Sequence, residues 1–268
     1  MDAQHPVPLA KRELLQAIER TVRATARQTC HEIAVGPFVA LLNPVDDAPW
    51  FNYAVPIALL DDETTTLTAL AVLQDVFRQH ERTLRFEFTA ELWPHLSALL
   101  ERVELHHESA TAQMICTPTS FTPFVAPDVA VRLLALADDL RAYRTLTNRS
   151  FGYDHPASEA DVDALSSALQ QNWRYAVAEI NGEWVGVGGY LLMTDATELV
   201  AIATHPAWRR RGVAASLTSF LVADYWRNGG TLAFLAAADV AAQAVYIKIG
   251  FEHVATRLSY IAAEYSDQ

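Results

Sequence analysis

A chain of 268 residues with 51% apolar side chains can fill two buried cores of about 130 residues each, which excludes a disordered chain. The formal charge of −12 argues against a nucleic-acid surface, and it falls unevenly: residues 1–128 carry 9 basic and 17 acidic side chains, residues 129–268 carry 11 and 15. Only Cys30 and Cys116 occur, without disulfide or metal spacing, and Met1 to Leu15 shows no apolar stretch behind basic residues, so a cytoplasmic protein with no metal and no secretory leader is expected.

Residues 11–30 read as a helix, with Leu14, Leu15, Ile18 and Val22 on one stripe. Pro37–Leu42 and Phe51–Leu60 read as strands, followed by a helix that turns Leu67, Leu70, Leu73, Val76 and Phe77 to a core. Leu84, Phe86 and Phe88 alternate with Arg85 and Glu87, the pattern of a half-buried strand. Leu92–Val103 is expected to be helical and Ala110–Cys116 extended. Pro118, Pro123 and Pro127 mark 117–127 as a linker, which predicts an accessory α/β domain over 1–125 and a second domain over 126–268.

The second half restarts the alternation. Val129–Leu134 is a strand candidate, Asp138–Asn148 a helix, and Ser158-Glu159-Ala160-Asp161 a capping box for the next helix. Tyr175–Ile180 and Trp184–Met193 form a hairpin around Asn181-Gly182. Glu198–Thr204 is the next strand, an amphipathic helix starts near Val213, and Leu232–Ala236 is extended. Asp239 caps a short helix stopped by Gly250, and Phe251–Tyr260 is expected to close this sheet. The apolar run Thr231–Ile247 is broken by Asp239 and reads as strand then helix, so no membrane span is expected.

Between the strand ending at Thr204 and the helix at Val213 stands Arg209-Arg210-Arg211-Gly212-Val213-Ala214. The first amides of a helix have no internal partners and its dipole favours anions, so a basic turn with a glycine is a place for a pyrophosphate. Downstream come Asp239, Ala242, Tyr246, Lys248, Gly250 and Phe251. Together these stretches resemble the GNAT superfamily of N-acetyltransferases. Its turn motif Q/R-x-x-G-x-G/A corresponds to Arg209, Gly212 and Ala214, and its N-x-x-A-x-x-x-Y-x-K-x-G-F to Asp239 (in place of asparagine) through Phe251. The likeness covers residues 129–265. It implies a mixed α/β (α+β) sheet in the C-terminal half. The order of elements in the first half is that of a degenerate GNAT-like repeat or of an unrelated α/β extension, and its Asp61-Asp62-Glu63 run would repel a pyrophosphate.

The resemblance further implies transfer of an acetyl group from acetyl-CoA to a primary amine on a small molecule or peptide. The backbone of Ile202, Ala203 and Thr204 would pair with the pantetheine arm. Arg209, Arg210, Arg211, Gly212, Val213, Ala214 and Ala215 would hold the pyrophosphate, with Asp239 and Tyr246 beside them. Tyr246 is the candidate general acid for the leaving thiolate and Glu198 the candidate base, with His205 read as a loop residue. Phe151, Tyr153 and Asp138-Asp139 fall where acceptors enter in relatives. With no cysteine after residue 116, direct transfer in a ternary complex is expected, in a monomer or homodimer. Two alternatives stay open: a non-catalytic acyl-CoA-binding regulator, and transfer of a larger acyl group such as succinyl.

Overall fold

The computed structural model describes residues 8–60 and 62–263. The first seven residues, Asp61 and the last five lie outside the described residues, and with them parts of the readings made for the N-terminus and for the Asp61-Asp62-Glu63 run. In chain order the elements are α1 (Leu9–Ala26), β1 (His31–Val35), β2 (Phe38–Leu42), β3 (Tyr53–Pro56), α2 (Glu63–Gln79), β4 (Arg85–Thr89), α3 (Leu96–Arg102) and β5 (Leu105–Cys116). Then follow β6 (Ala130–Leu133), α4 (Leu140–Ser150), α5 (Glu159–Gln170), β7 (Trp173–Ile180), β8 (Glu183–Leu191), β9 (Ala196–Thr204), α6 (Val213–Arg227), β10 (Leu232–Ala237), α7 (Val240–Ile247) and β11 (Glu252–Ala262). No helix among the described residues is long and apolar enough to cross a membrane.

The chain divides into two compact units, one running up to Gln113 and resuming at Val254, the other Met114–His253. In the first, the strand order is β1-β2-β3-β4-β11-β5. The strands β1, β2 and β3 are antiparallel neighbours, and β3 lies parallel to β4 through Ala54↔Phe86. Leu70, Leu73 and Phe77 of α2 bury one helical stripe against Phe38, Phe86 and Phe88. The pattern of Phe251–Tyr260 predicts a strand that closes the sheet of the second half. The strand forms, but it pairs antiparallel with β4, from Thr89↔Arg257 to Arg85↔Ile261. The physical reason is polar as much as apolar: Arg257 donates to Glu87, and Ser259 accepts from Arg85, so β11 satisfies groups that β4 buries. The weakly patterned β1 was not legible as a strand; its burial does not alternate.

In the second unit the order is β10-β9-β8-β7-β6, antiparallel except for the β9–β10 pair. One face carries α4 and α5, whose Leu140, Tyr143, Leu146 and Leu165 cluster with Val177, Val187 and Ala203. On the other face Val213, Leu217 and Leu221 of α6 lie over β8. The capping box of α5 is complete: Ser158 Oγ accepts the Asp161 amide and Asp161 accepts that of Ser158. The proline-rich stretch 117–127 is a strap rather than a free linker. Thr122 N–H donates to the Ile249 carbonyl, Phe124 N–H to Ser219 Oγ and Ala126 N–H to Ser216 Oγ, each at 2.8–2.9 Å.

Candidate acyl-transfer site

The site is organised by how β9 ends. Its pairing with β10 runs from Leu232↔Ala196 only as far as Phe234↔Glu198, although β10 continues to Ala237. Beyond Glu198 the two parallel strands diverge, and the edge of β9 that faces β10 carries no ladder partner from β10 over Leu199–Thr204. On the other edge the register with β8 shifts between Val187 and Gly189, opposite Ala201, which takes a left-handed φ of 54°. A β-branched or bulky side chain would be strained there; alanine is tolerated at moderate cost. Nothing in the sequence signals this bulge.

The divergent end holds three of the expected residues. Ala203 turns its methyl to the α4–α5 core, Ile202 points to the α6 face, and Thr204 Oγ1 is buried without a hydrogen-bond partner among the described residues. A buried hydroxyl left unpaired costs about 1–3 kcal/mol, so Thr204 Oγ1 can gain from a polar group brought to the strand end. Glu198 is half-buried two positions after the strand begins. Its neighbour Leu199 opposes Tyr190, whose hydroxyl reaches Asp224 of α6, so Leu199 belongs to the α6 face and Glu198 to the face carrying α4 and α5.

After Thr204 the chain makes a short turn. His205 Nδ1 accepts the Ala207 amide at 3.3 Å, which makes this histidine a local cap of the turn. The arginines then separate in role. Arg209 folds back, donating to the carbonyls of Thr204 and Ser150, and so ties the turn to the end of α4. Arg210 is exposed with φ 65°, and Arg211 lies over the Trp208 ring at 4.8 Å. Gly212 follows at φ 80°, a left-handed conformation natural to glycine. The triplet is thus one anchor, one strained exposed cation and one stacked cation.

Helix α6 begins without a side-chain cap, as do α1 and α3, whereas α2, α4, α5 and α7 start under Asp62, Asp139, Ser158 and Asp239; what sets α6 apart is the left-handed Gly212 at its N-cap. Its first intrahelical acceptor bond is Ser216 N–H to Gly212 O, so the amides of Val213, Ala214 and Ala215 point out of the helix end without intrahelical partners. Left-handed Arg210 and Gly212 beside three amides without intrahelical partners make an arrangement that can accept an anion. Helix α2 of the first unit starts in the opposite way: Asp62 occupies its end, accepting the Thr65 amide at 2.7 Å, and Glu63 opens the helix.

Asp239 caps α7 through the Ala242 amide at 2.7 Å, a role that asparagine or aspartate fills equally well. Tyr246 is 8% exposed, with its ring 5.9 Å from that of Phe251. Burial, reinforced by the Asp239 carboxylate, pushes its phenol up to about 12, so it holds its proton firmly. Lys248 is exposed, and Gly250 (φ 95°) runs so close under the strap that a Cβ would meet the Ser120 carbonyl oxygen at 1.9 Å. The glycine of this second motif is therefore demanded by packing. Near the α4 entrance, Asp138 is consumed by Arg132 and the Ala135 amide, and Asp139 by its cap, while Phe151 and Tyr153 stand exposed.

These features can be set beside known proteins. Residues 140–251 match the family model described as Acetyltransferase (GNAT) family. No curated protein matches the chain. Among solved structures the chain is similar to a GCN5-related N-acetyltransferase from Kribbella flavida, at 20% identity and a TM-score of 0.78, over 93% of this chain and 96% of that one. It is similar to a GCN5-related N-acetyltransferase from Sphaerobacter thermophilus at 14% identity and a TM-score of 0.65, over 84% and 80%. A tandem GNAT protein from the clavulanic acid biosynthesis pathway aligns at 16% identity and a TM-score of 0.62, over 84% and 78%. At such identities the likeness is one of fold. Over residues 140–251 the chain carries a domain of the GNAT acetyltransferase family, set within the fold of GCN5-related N-acetyltransferases.

Proposed function

We propose that this protein moves an acetyl group from acetyl-CoA to a primary amine of a small molecule or peptide, directly within a ternary complex. The observation that carries the reading is the bare start of α6, with three outward amides next to left-handed Arg210 and Gly212. When bound, acetyl-CoA supplies a thioester that a neutral amine can attack. The amides of Val213, Ala214 and Ala215 would hold its pyrophosphate, and the unladdered edge of Ile202, Ala203 and Thr204 its pantetheine arm.

Positioning alone accounts for much of such a rate, about 7–11 kcal/mol when two reactants are well oriented. Tyr246 is assigned as the proton donor to the leaving sulfur. Its phenol, held protonated by burial, keeps that proton available throughout the neutral range. Glu198, on the face carrying α4 and α5, is assigned to take the proton from the amine, directly or through water. Direct transfer is favoured because Cys116, the cysteine of this unit, is buried with its thiol pushed up to about 11 by burial, which makes it a poor nucleophile.

The test is a calorimetric titration of acetyl-CoA into the wild type and an Arg211→Glu variant, followed by an amine panel scored by release of free thiol. Arg211 is exposed, so its reversal changes charge at the turn before α6 with little effect on folding. Binding that weakens in the variant, with thiol release on adding an amine, supports the reading. No binding by the wild type removes it, and binding without turnover on any amine leaves an acyl-CoA-responsive regulator.

A further inference from the structure

The first unit contains a cavity that the acyl-transfer reading does not use. It measures about 520 Å³, within the range of roughly 300–1,000 Å³ that small-molecule sites occupy. Its position has a topological logic. The strands β3 and β4 run parallel and pair through Ala54↔Phe86, and the walls come from the segments that follow each strand, Ile57 to Leu59 on one side and Leu92 with Trp93 on the other. The mouth of diverging parallel strands at their carboxyl ends is where open α/β sheets take ligands.

The roof is α1. Arg12, Gln16, Arg20 and Arg23 line the cavity and recur at helical spacing, so they share one face. Arg12 and Arg20 are eight residues apart, about 12 Å along the axis, close enough for both side chains to reach one ligand. Their pairing state is the informative point. Within this unit Arg23, Arg27, Arg78, Arg85, Arg102 and Arg257 each have a carboxylate partner, and Arg82 is spent on the backbone carbonyls of Asn43, His80 and Glu81. Arg12 and Arg20 have none among the described residues. The one carboxylate lining the cavity among the described residues, Glu19, is turned to the Thr89 hydroxyl and to the Arg257 guanidinium at 4.0 Å. The opposite wall is apolar: Ile57 and Leu59 are 42% and 58% exposed, and Trp93 Nε1 donates to the Ala58 carbonyl at 3.0 Å, which pins that loop beside the indole.

We infer that this cavity is a second binding site, for a small organic oxyanion with an apolar body. Arg12 and Arg20 take the anionic group in fork-like contacts, and the body lies against Trp93, Ile57 and Leu59. Asp62 closes the α2 helix end of this unit to anions, which leaves arginine side chains to bind them. Carboxylate and phosphate headgroups share this chemistry. The site stands whether or not the second unit transfers acetyl groups.

The experiment is a calorimetric titration of the full chain with phenylacetate and with phenyl phosphate, and with benzylamine as the cation of matching body. It is repeated on Arg12→Gln and Arg20→Gln, with thermal melts to show that both variants fold. The expected result is that at least one oxyanion binds, that each substitution weakens it about tenfold, and that benzylamine does not bind. Phenylacetate alone would assign a carboxylate, phenyl phosphate alone a phosphate. Failure of both oxyanions to bind, undiminished binding by the two variants, or equal binding of benzylamine would each overturn the site.

Discussion

A Cβ at position 212 would sit 2.8 Å from the Cβ of Ala126, so the turn before α6 and the strap that crosses it fit together only with glycine at that point. Two separable penalties follow for Gly212→Ala: about 1–2 kcal/mol for a left-handed alanine, and about 1–3 kcal/mol for the overpacked contact. Adding Ala126→Gly should return the second and leave the first. Urea denaturation of the two single variants and the double variant measures this. Equal stability of Gly212→Ala with and without Ala126→Gly would show that the contact is absent in solution. A larger or acidic residue at 212 would confound a loss of acyl-CoA binding with loss of packing, which is why Arg211 is the better probe.

Substituting Tyr246 by Phe should lower turnover by roughly 10²–10⁴-fold while leaving acetyl-CoA affinity within a factor of two or so, the range expected for loss of a general acid. The phenol is the active form as an acid, and its proton is lost only as pH rises through about 12. The wild-type rate should therefore show no alkaline fall due to this group below about pH 10. A tyrosine-dependent fall near pH 8, or a Phe variant as active as the wild type, would remove Tyr246 from the proton-transfer role.

What the sequence disclosed was mostly local. Gly212 at the start of α6, the Asp239 cap, the Ser158–Asp161 capping box and the Asn181-Gly182 turn each depend on a few neighbouring residues, and each stands where the spacing puts it. What it withheld was pairing across long separations. The alternation in β11 announces a strand but not its partner, and β4 lies about 170 residues earlier in the chain. The strap was hidden for a related reason. Its prolines read as a linker, while the groups that hold it, Ser216 and Ser219, lie on a helix ninety-odd residues away. The separate roles of the three arginines are likewise a matter of where each guanidinium finds a partner.

The serines of α6 give the strap a measurable hold. Ser216 Oγ accepts the amide of Ala126, which is 8% exposed, so Ser216→Ala strands a buried donor. The expected loss is about 1–3 kcal/mol, more than an exposed serine would cause. Hydrogen exchange locates it: the Ala126 amide should exchange faster in the variant while the amides of β7 and β8 stay protected. Unchanged protection at Ala126 would mean that the strap is held by its apolar contacts alone.

The pH dependence of the first unit turns on Glu87. Burial by itself opposes its charge, but Arg257 at 2.6 Å and Arg85 on the other side hold its carboxyl down to about 2. A carboxyl lower when folded than its ordinary 4.5 adds stability above pH 4.5 and surrenders it as pH falls toward 2. Glu19 acts in the opposite sense: burial raises it, so its contribution declines as pH rises past 4.5. Subtracting the Glu87→Gln stability curve from that of the wild type isolates the Glu87 component. The difference should be flat near neutrality and shrink between about pH 4.5 and 2. Removing the partner should be harsher than neutralising Glu87, because Arg257→Ala leaves Glu87 with only Arg85 and unseats the bonds that fasten β11 to β4. A loss of about 3–5 kcal/mol is expected, read by urea denaturation at neutral pH. A loss below 1 kcal/mol would show that β11 is held by Leu258, Tyr260 and the backbone ladder, with the ion pairs contributing little.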